Sequence, residues 1–125
     1  MTGVPVLSLS DTVLRLALAT VLGALVGLER ERLERGAGIR THAIVSLGSA
    51  LVMVVSIYGF SDVLGPGQLV SLDVSRVAAG VVSGIGFLGA GVIIFRKSVV
   101  RGLTTAASVW TVAGLGLACG GGLFV

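Results

Sequence analysis

The chain has 125 residues, of which 54% are apolar and 12% charged, with a net charge of +3. A soluble domain usually carries about 25% charged residues, so this composition excludes a soluble enzyme and points to an integral membrane protein. The basic residues lie in short loops beside apolar runs, which gives them a topological meaning and argues against a nucleic-acid partner.

The N-terminal segment MTGVPVLSLSD lacks the basic stretch that opens a cleaved signal peptide. Four apolar spans follow, at 12–28, 41–60, 77–95 and 103–125. None alternates with the period of two that a barrel strand needs. In lipid every backbone polar group must be satisfied internally. The expected fold is therefore all-α, a polytopic transmembrane helical bundle forming one domain over 1–125 and surrounded by the lipid bilayer. The stop at Val125 without a polar tail leaves a fifth helix beyond it open.

The first span is short. Between Arg15 and Glu29 lie 13 uncharged residues, about 20 Å of helix against a hydrocarbon core of about 30 Å. Arg15 is expected to snorkel and pair with Asp11 four residues earlier. Glu29 snorkels poorly, and a carboxylate at that depth has a partner or a role. It reads either as an interfacial salt bridge to Arg101 or Arg40, or as a functional site. The loop 29–40 holds Arg30, Arg32, Arg35 and Arg40, and 96–102 holds Arg96, Lys97 and Arg101. The loop 61–75 holds Asp62 and Asp73 but no Lys or Arg. The positive-inside rule then places 29–40 and 96–102 in the cytoplasm and the N-terminus outside.

His42 opens the second span. It reads either as a structural hydrogen-bonding group or as a proton or ligand site. Asp73 precedes the third span with Arg76 three residues on. It reads as a helix N-cap, or as an outward-facing cation site closed by Arg76. The metal candidates are Glu29 and Asp73, with Mg²⁺ the ion considered. The outer face offers only Asp11, Asp62 and Asp73, too few oxygen ligands in one chain.

The third span contains Gly84-x-Gly86-x-x-Gly89, the spacing of a dinucleotide-binding turn. That fold needs a ribose-binding acid about 20 residues later, and no acidic residue follows Asp73. On a helical wheel, Val81, Ile85, Leu88, Val92 and Phe95 form a large apolar stripe. Ala79, Ser83, Gly86 and Ala90 form a small-residue stripe, and Gly80, Gly84 and Gly91 another. Such faces let helices approach closely. Gly80, Ser83, Gly84, Gly86, Gly89 and Gly91 are therefore expected to pack against at least two neighbouring helices. Gly23 and Gly27 on the first span, with Ala106, Ala113 and Gly120 on the fourth, are the expected partner faces. An unwound 84–91 segment lending carbonyls to an ion is the sharper alternative. Trp110 lies too deep for a belt residue and is expected to pack inside. Cys119 sits in an apolar run and implies no disulfide. No catalytic triad or phosphate-binding loop is visible.

Four stretches together resemble the transmembrane domain of the MgtC/SapB family. They are Gly23-Ala-Leu-Val-Gly-Leu-Glu-Arg30, Gly38-Ile-Arg-Thr-His-Ala43, the run from Arg76 to Ile93, and Val100 to Trp110. They stand in family order, and the third is the most specific. Position 80 is Gly where the family often has Gln, and position 74 is Val where Asp-Pro is common. The resemblance implies a bacterial inner-membrane protein linked to magnesium limitation. Family members are associated with modulating other membrane proteins. It carries over Glu29, Arg40, Thr41, His42, Asp73, Arg76 and Arg101 as candidate functional residues without assigned roles.

Two functions compete on the sequence. One is a regulatory bundle that binds other membrane proteins, as a monomer or homo-oligomer, without a cofactor. The other is a channel or transporter for Mg²⁺ or another cation, for which one chain supplies few ligands along any route. No nucleophile and base pair suggests an enzyme.

Overall fold

The computed structural model describes residues 6–33, 37–59, 73, 75–96 and 99–123. Among the described residues there are four helices, α1 (Leu9–Arg32), α2 (Ile39–Tyr58), α3 (Ser75–Val92) and α4 (Leu103–Gly120), with a small hairpin between α3 and α4. The hairpin pairs β1 (Ile94–Arg96) with β2 (Val99–Arg101) in antiparallel register, Phe95 opposite Val100. All four helices are long and apolar enough to cross a membrane.

Local chemistry explains the helix ends. Ser8 caps α1, its hydroxyl accepting from the Asp11 amide, the usual way to satisfy a first-turn donor. The helix then runs 24 residues, about 36 Å, well beyond the span 12–28. The third helix stops at Val92, short of the expected 95. The run Val92-Ile93-Ile94-Phe95 is β-branched or aromatic and suits a strand, so Ile94 and Phe95 enter the hairpin instead. Gly102 then turns the chain into α4 at φ +87°. A Cβ there would overlap the Val92 carbonyl oxygen, so this corner needs glycine on both conformational and steric grounds.

The core is a three-helix unit of α1, α2 and α4, built on small residues. A Cβ at Gly23 would lie 2.5 Å from the His42 carbonyl oxygen and 2.7 Å from Ser46 Cβ. One at Gly27 would lie 2.5 Å from the Gly38 carbonyl oxygen. On α4, a Cβ at Gly116 would overlap the Ser46 carbonyl, and one at Gly120 the Ala50 carbonyl. Helix α2 therefore lies between α1 and α4 with its backbone nearly touching both. Its inward row is His42, Ser46, Ser49, Ala50, Val54 and Ser56, all buried. Ala19, Ala50 and Cys119 fill the centre, with Leu16, Leu18 and Leu22 against them. The large apolar side chains instead point outward, among them Leu25, Ile44, Leu51 and Val55. This is the inverse of a water-soluble core and suits a surface solvated by lipid tails.

Helix α3 sits apart, against α4. Its packed side is Val77, Ala78, Val81, Ile85 and Gly89. A Cβ at Gly89 would be 3.5 Å from Ala106 Cβ. Val81 and Ile85 of the large apolar stripe thus belong to the contact surface, while Leu88 and Val92 are exposed. A Cβ at Gly80, Gly84, Gly86 or Gly91 would meet nothing within 4 Å, and Ser83 is exposed. Among the described residues, the expectation that both glycine stripes of this helix grip neighbours is corrected. Gly23 and Gly27 grip α2 rather than α3, and Gly120 also faces α2. The helix is continuous from Ser75 to Val92, so 84–91 is not unwound. Trp110 is 51% exposed and faces outward, not inward. Even at depth an indole is mostly apolar and sits well against lipid.

Candidate functional site

Among the described residues, side-chain hydrogen bonds between helices lie towards the two ends of the bundle, with buried Ser46 and Ser49 between them; polar groups in an apolar interior need partners within the protein. At one end Arg15 does not pair with Asp11. Its Nη1 donates to the Tyr58 hydroxyl at 3.0 Å and to the Gly120 carbonyl at 2.8 Å. Its guanidinium lies 5.2 Å from the Tyr58 ring centre. A cation at the C-terminus of α4 is favoured by the helix dipole, and the contact ties α1, α2 and α4 together. Inward partners are why the short first span poses no difficulty.

The opposite end gathers the richer set, where the C-terminus of α1 meets the N-termini of α2 and α4. Gly38 is the N-cap of α2, and the first turn delivers His42 to the interface with α4. His42 is fully buried. Its Nδ1 is 2.8 Å from the Gly38 carbonyl oxygen and its Nε2 is 2.9 Å from Ser108 Oγ. Ser108 Oγ in turn donates to the Thr105 carbonyl oxygen at 2.9 Å. From α1, Arg30 Nη2 donates to Thr105 Oγ1 over a long 3.4 Å. Arg30 Nε and Ser46 Oγ are buried and have no hydrogen-bond partner among the described residues. Arg30, Thr105, Ser108, His42 and Gly38 therefore form a chain of polar contacts across three helices.

Of the residues expected from sequence, only His42 is in this chain. Arg40 and Thr41 precede it and are exposed. Glu29 is exposed and makes no ion pair with any described residue. Arg101 lies in β2 with its side chain outside the described residues, so a pair between the two rests on sequence alone. Asp73 and Arg76 form an exposed pair at the start of α3, with Arg76 Nε 3.4 Å from Asp73 Oδ2. Ser75 Oγ donates to Asp73 Oδ1 at 2.6 Å. That hydrogen bond leads the causes that hold the Asp73 carboxyl below its usual range. Asp62 lies outside the described residues.

The antiparallel course separates the two metal candidates. Glu29 lies at the end of the bundle where α4 begins, and Asp73 lies where α3 begins, one helix length away. A helix of 18 residues is about 27 Å long, so the two carboxylates do not share a site. Among the described residues no group of three or more His, Cys, Asp or Glu side chains could hold a metal ion. Ser108 and His42 have the separation of a nucleophile and base. However, the hydroxyl hydrogen is committed to Thr105, and His42 is sealed from both water and lipid.

Arg30, Thr105 and Ser108 were not singled out by the sequence reading. The signal was present for two of them. Thr105 and Ser108 are hydroxyls three residues apart on an apolar helix, hence on one face. Such hydroxyls inside a bundle bond either their own backbone or a neighbouring helix.

A family model described as the MgtC family matches residues 16–125. A protein of Escherichia coli (strain K12) named putative magnesium transporter YhiD is 47% identical over 115 residues, covering 92% of this chain and 53% of that protein. Protein MgtC of Salmonella typhimurium (strain LT2) is 47% identical over 112 residues, covering 90% of this chain and 44% of that protein. An uncharacterized protein of Haemophilus influenzae is 43% identical over 109 residues, covering 86% of this chain and 46% of that protein. The chain thus spans about half the length of the curated relatives it matches. No solved structure matches.

Proposed function

The chain belongs to the MgtC family of membrane proteins, and on that premise we propose that it is a multi-pass regulator of the bacterial inner membrane that binds other membrane proteins. One observation carries the reading. Side-chain hydrogen bonds of Arg15, Arg30 and His42 join α1, α2 and α4, whereas a Cβ at Gly80, Gly84, Gly86 or Gly91 of α3 would meet nothing within 4 Å among the described residues. A helix with small-residue faces and an 81% exposed Phe87 between them is suited to side-by-side contact with another transmembrane helix. The reading places 29–40 and 96–102 in the cytoplasm and the N-terminus outside. It assigns no catalytic step and no cofactor.

The second reading, passage of Mg²⁺ or another cation, is favoured by one relative's name, putative magnesium transporter. Against it stands the separation of Glu29 from Asp73 by a helix length. Mg²⁺ keeps near-octahedral oxygen coordination, and a route would need such ligands along its length.

Cation flux into liposomes holding the purified chain decides between them. Flux at the level of protein-free liposomes is expected for the wild type and for Glu29→Gln and Asp73→Asn alike. Mg²⁺ entry with the wild type that falls in either variant would replace the regulatory reading with transport.

A further inference from the structure

Cations at the two ends of the bundle meet different surroundings. Where Arg15 and Arg76 lie, the protein engages both. Arg15 bonds the Tyr58 hydroxyl and the Gly120 carbonyl oxygen, and Arg76 pairs with Asp73. At the opposite end Arg30, Arg32 and Arg40 form no ion pair with any described residue. Arg30 turns inward to the neutral Thr105 hydroxyl over 3.4 Å. Arg32 and Arg40 are exposed.

The fold gathers these cations from separate parts of the chain. A Cβ at Gly27 would lie 2.7 Å from Ile39 Cα, so the end of α1 stands beside the first turn of α2, which carries Arg40. The contact of Arg30 with Thr105 sets the same end of α1 beside the first turn of α4. The hairpin that leads into α4 carries Arg96 and Arg101. The Glu31 carboxylate lies beside Gly38, 2.8 Å from where a Cβ would stand, and the positive end of α2 favours it there. Helices α2 and α4 both turn positive dipole ends to this side, and neither N-cap glycine offers a side chain.

The exposed arginines also crown apolar faces. Arg32 follows Leu28 by four residues and Leu25 by seven, and Arg40 precedes Ile44 by four, so each shares a helix face with them. Leu25, Leu28 and Ile44 are all exposed. On a membrane helix such a face meets lipid tails, and the arginine at its end meets the headgroups.

We propose that this end of the bundle is a binding surface for anionic phospholipid headgroups, with Arg32 and Arg40 as its exposed contacts. Charge complementarity selects the lipid, since a guanidinium pairs well with phosphate. The apolar faces below the two arginines favour a ligand with acyl chains over a soluble anion. Each cation near an anionic lipid surface strengthens attraction about five-fold. The surface is the same whether the chain regulates other proteins or conducts a cation.

Native mass spectrometry of the purified full chain in detergent tests this. Binding of phosphatidylglycerol is compared with that of phosphatidylcholine carrying the same acyl chains. The expected result is a preference for phosphatidylglycerol of about five-fold or more. It should fall towards parity in the double variant Arg32→Gln/Arg40→Gln and stay unchanged in Arg76→Gln. Equal binding of the two lipids by the wild type would overturn the proposal. So would a preference that survives the double variant, or one lost equally in Arg76→Gln. Inorganic phosphate should release no more lipid than chloride at equal ionic strength, and selective release would reassign the surface to a soluble phosphate. If the double variant does not fold, the wild-type comparison and Arg40→Gln alone decide.

Discussion

Helices α1 and α3 carry the same glycine spacing, Gly23-x-x-x-Gly27 and Gly80-x-x-x-Gly84, and meet different surroundings. On α1 the missing side chains are replaced by the backbone of α2, with the His42 and Gly38 carbonyl oxygens 2.5 Å from the Cβ positions. On α3 the same positions look onto open space. The difference lies in the facing helix. Helix α2 opposes the first pair with Gly38, Ala43 and Ser46, small enough for backbones to approach closely. Helix α3 meets α4 through another side, Val81, Ile85 and Gly89, where ordinary side-chain packing sets the separation. Small-residue spacing permits close approach, but it does not say which helix, or which copy, takes it up.

The largest expected effect breaks this comparison if it is wrong. Gly23→Leu inserts a side chain where α2 already stands, against the His42 carbonyl oxygen and Ser46 Cβ, and should prevent the three-helix core from forming. Even Gly23→Ala should cost about 1–3 kcal/mol, the usual range for overpacking. Gly84→Leu should leave the thermal unfolding of the purified monomer in detergent unchanged. Any loss it causes should appear only in association with other helices. Equal destabilisation of the monomer by Gly84→Leu and Gly23→Leu would show that the two faces are not different in kind.

The number, order and approximate limits of the spans were readable from hydropathy and loop charge, because lipid makes apolar length a strict requirement. Helix partners were not. Gly23 and Gly120 showed small faces, but a face does not carry the name of its neighbour. The hairpin at 94–101 was hidden because Ile93, Ile94 and Phe95 are as apolar as the helix before them. At the site, His42 was legible as the lone histidine at a span's entrance. Ser108 was not, since a hydroxyl in an apolar helix more often bonds its own backbone. The contact between His42 and Ser108 depends on α2 and α4 meeting in one register, which is a long-range fact.

A middle-sized effect sharpens the same contrast at the other end of the core. Arg15→Met keeps a long apolar stem and removes the donors to Tyr58 and Gly120. Hydrogen bonds to charged groups contribute about 1.5–3 kcal/mol. The variant should therefore unfold at a clearly lower temperature while remaining monomeric and inserted. Asp11→Asn, which touches the partner expected from sequence, should not reproduce the loss.

The smallest effect belongs to the start of α3, where Asp73, Ser75 and Arg76 bond to one another at the surface. An exposed pair three residues apart contributes little, since water and salt screen both charges. Asp73→Asn should leave thermal unfolding at neutral pH within error of the wild type. The sign of its pH dependence is nonetheless fixed. The carboxyl is held below its usual range in the folded chain, so any contribution is fully present above the unfolded-state value. It fades as pH falls through the folded one. The wild type should therefore lose a small increment relative to Asp73→Asn only on acidification below about pH 4. A difference as large as that of Arg15→Met at neutral pH would mean that α3 is anchored through its first turn, and that its separateness from the core is only apparent.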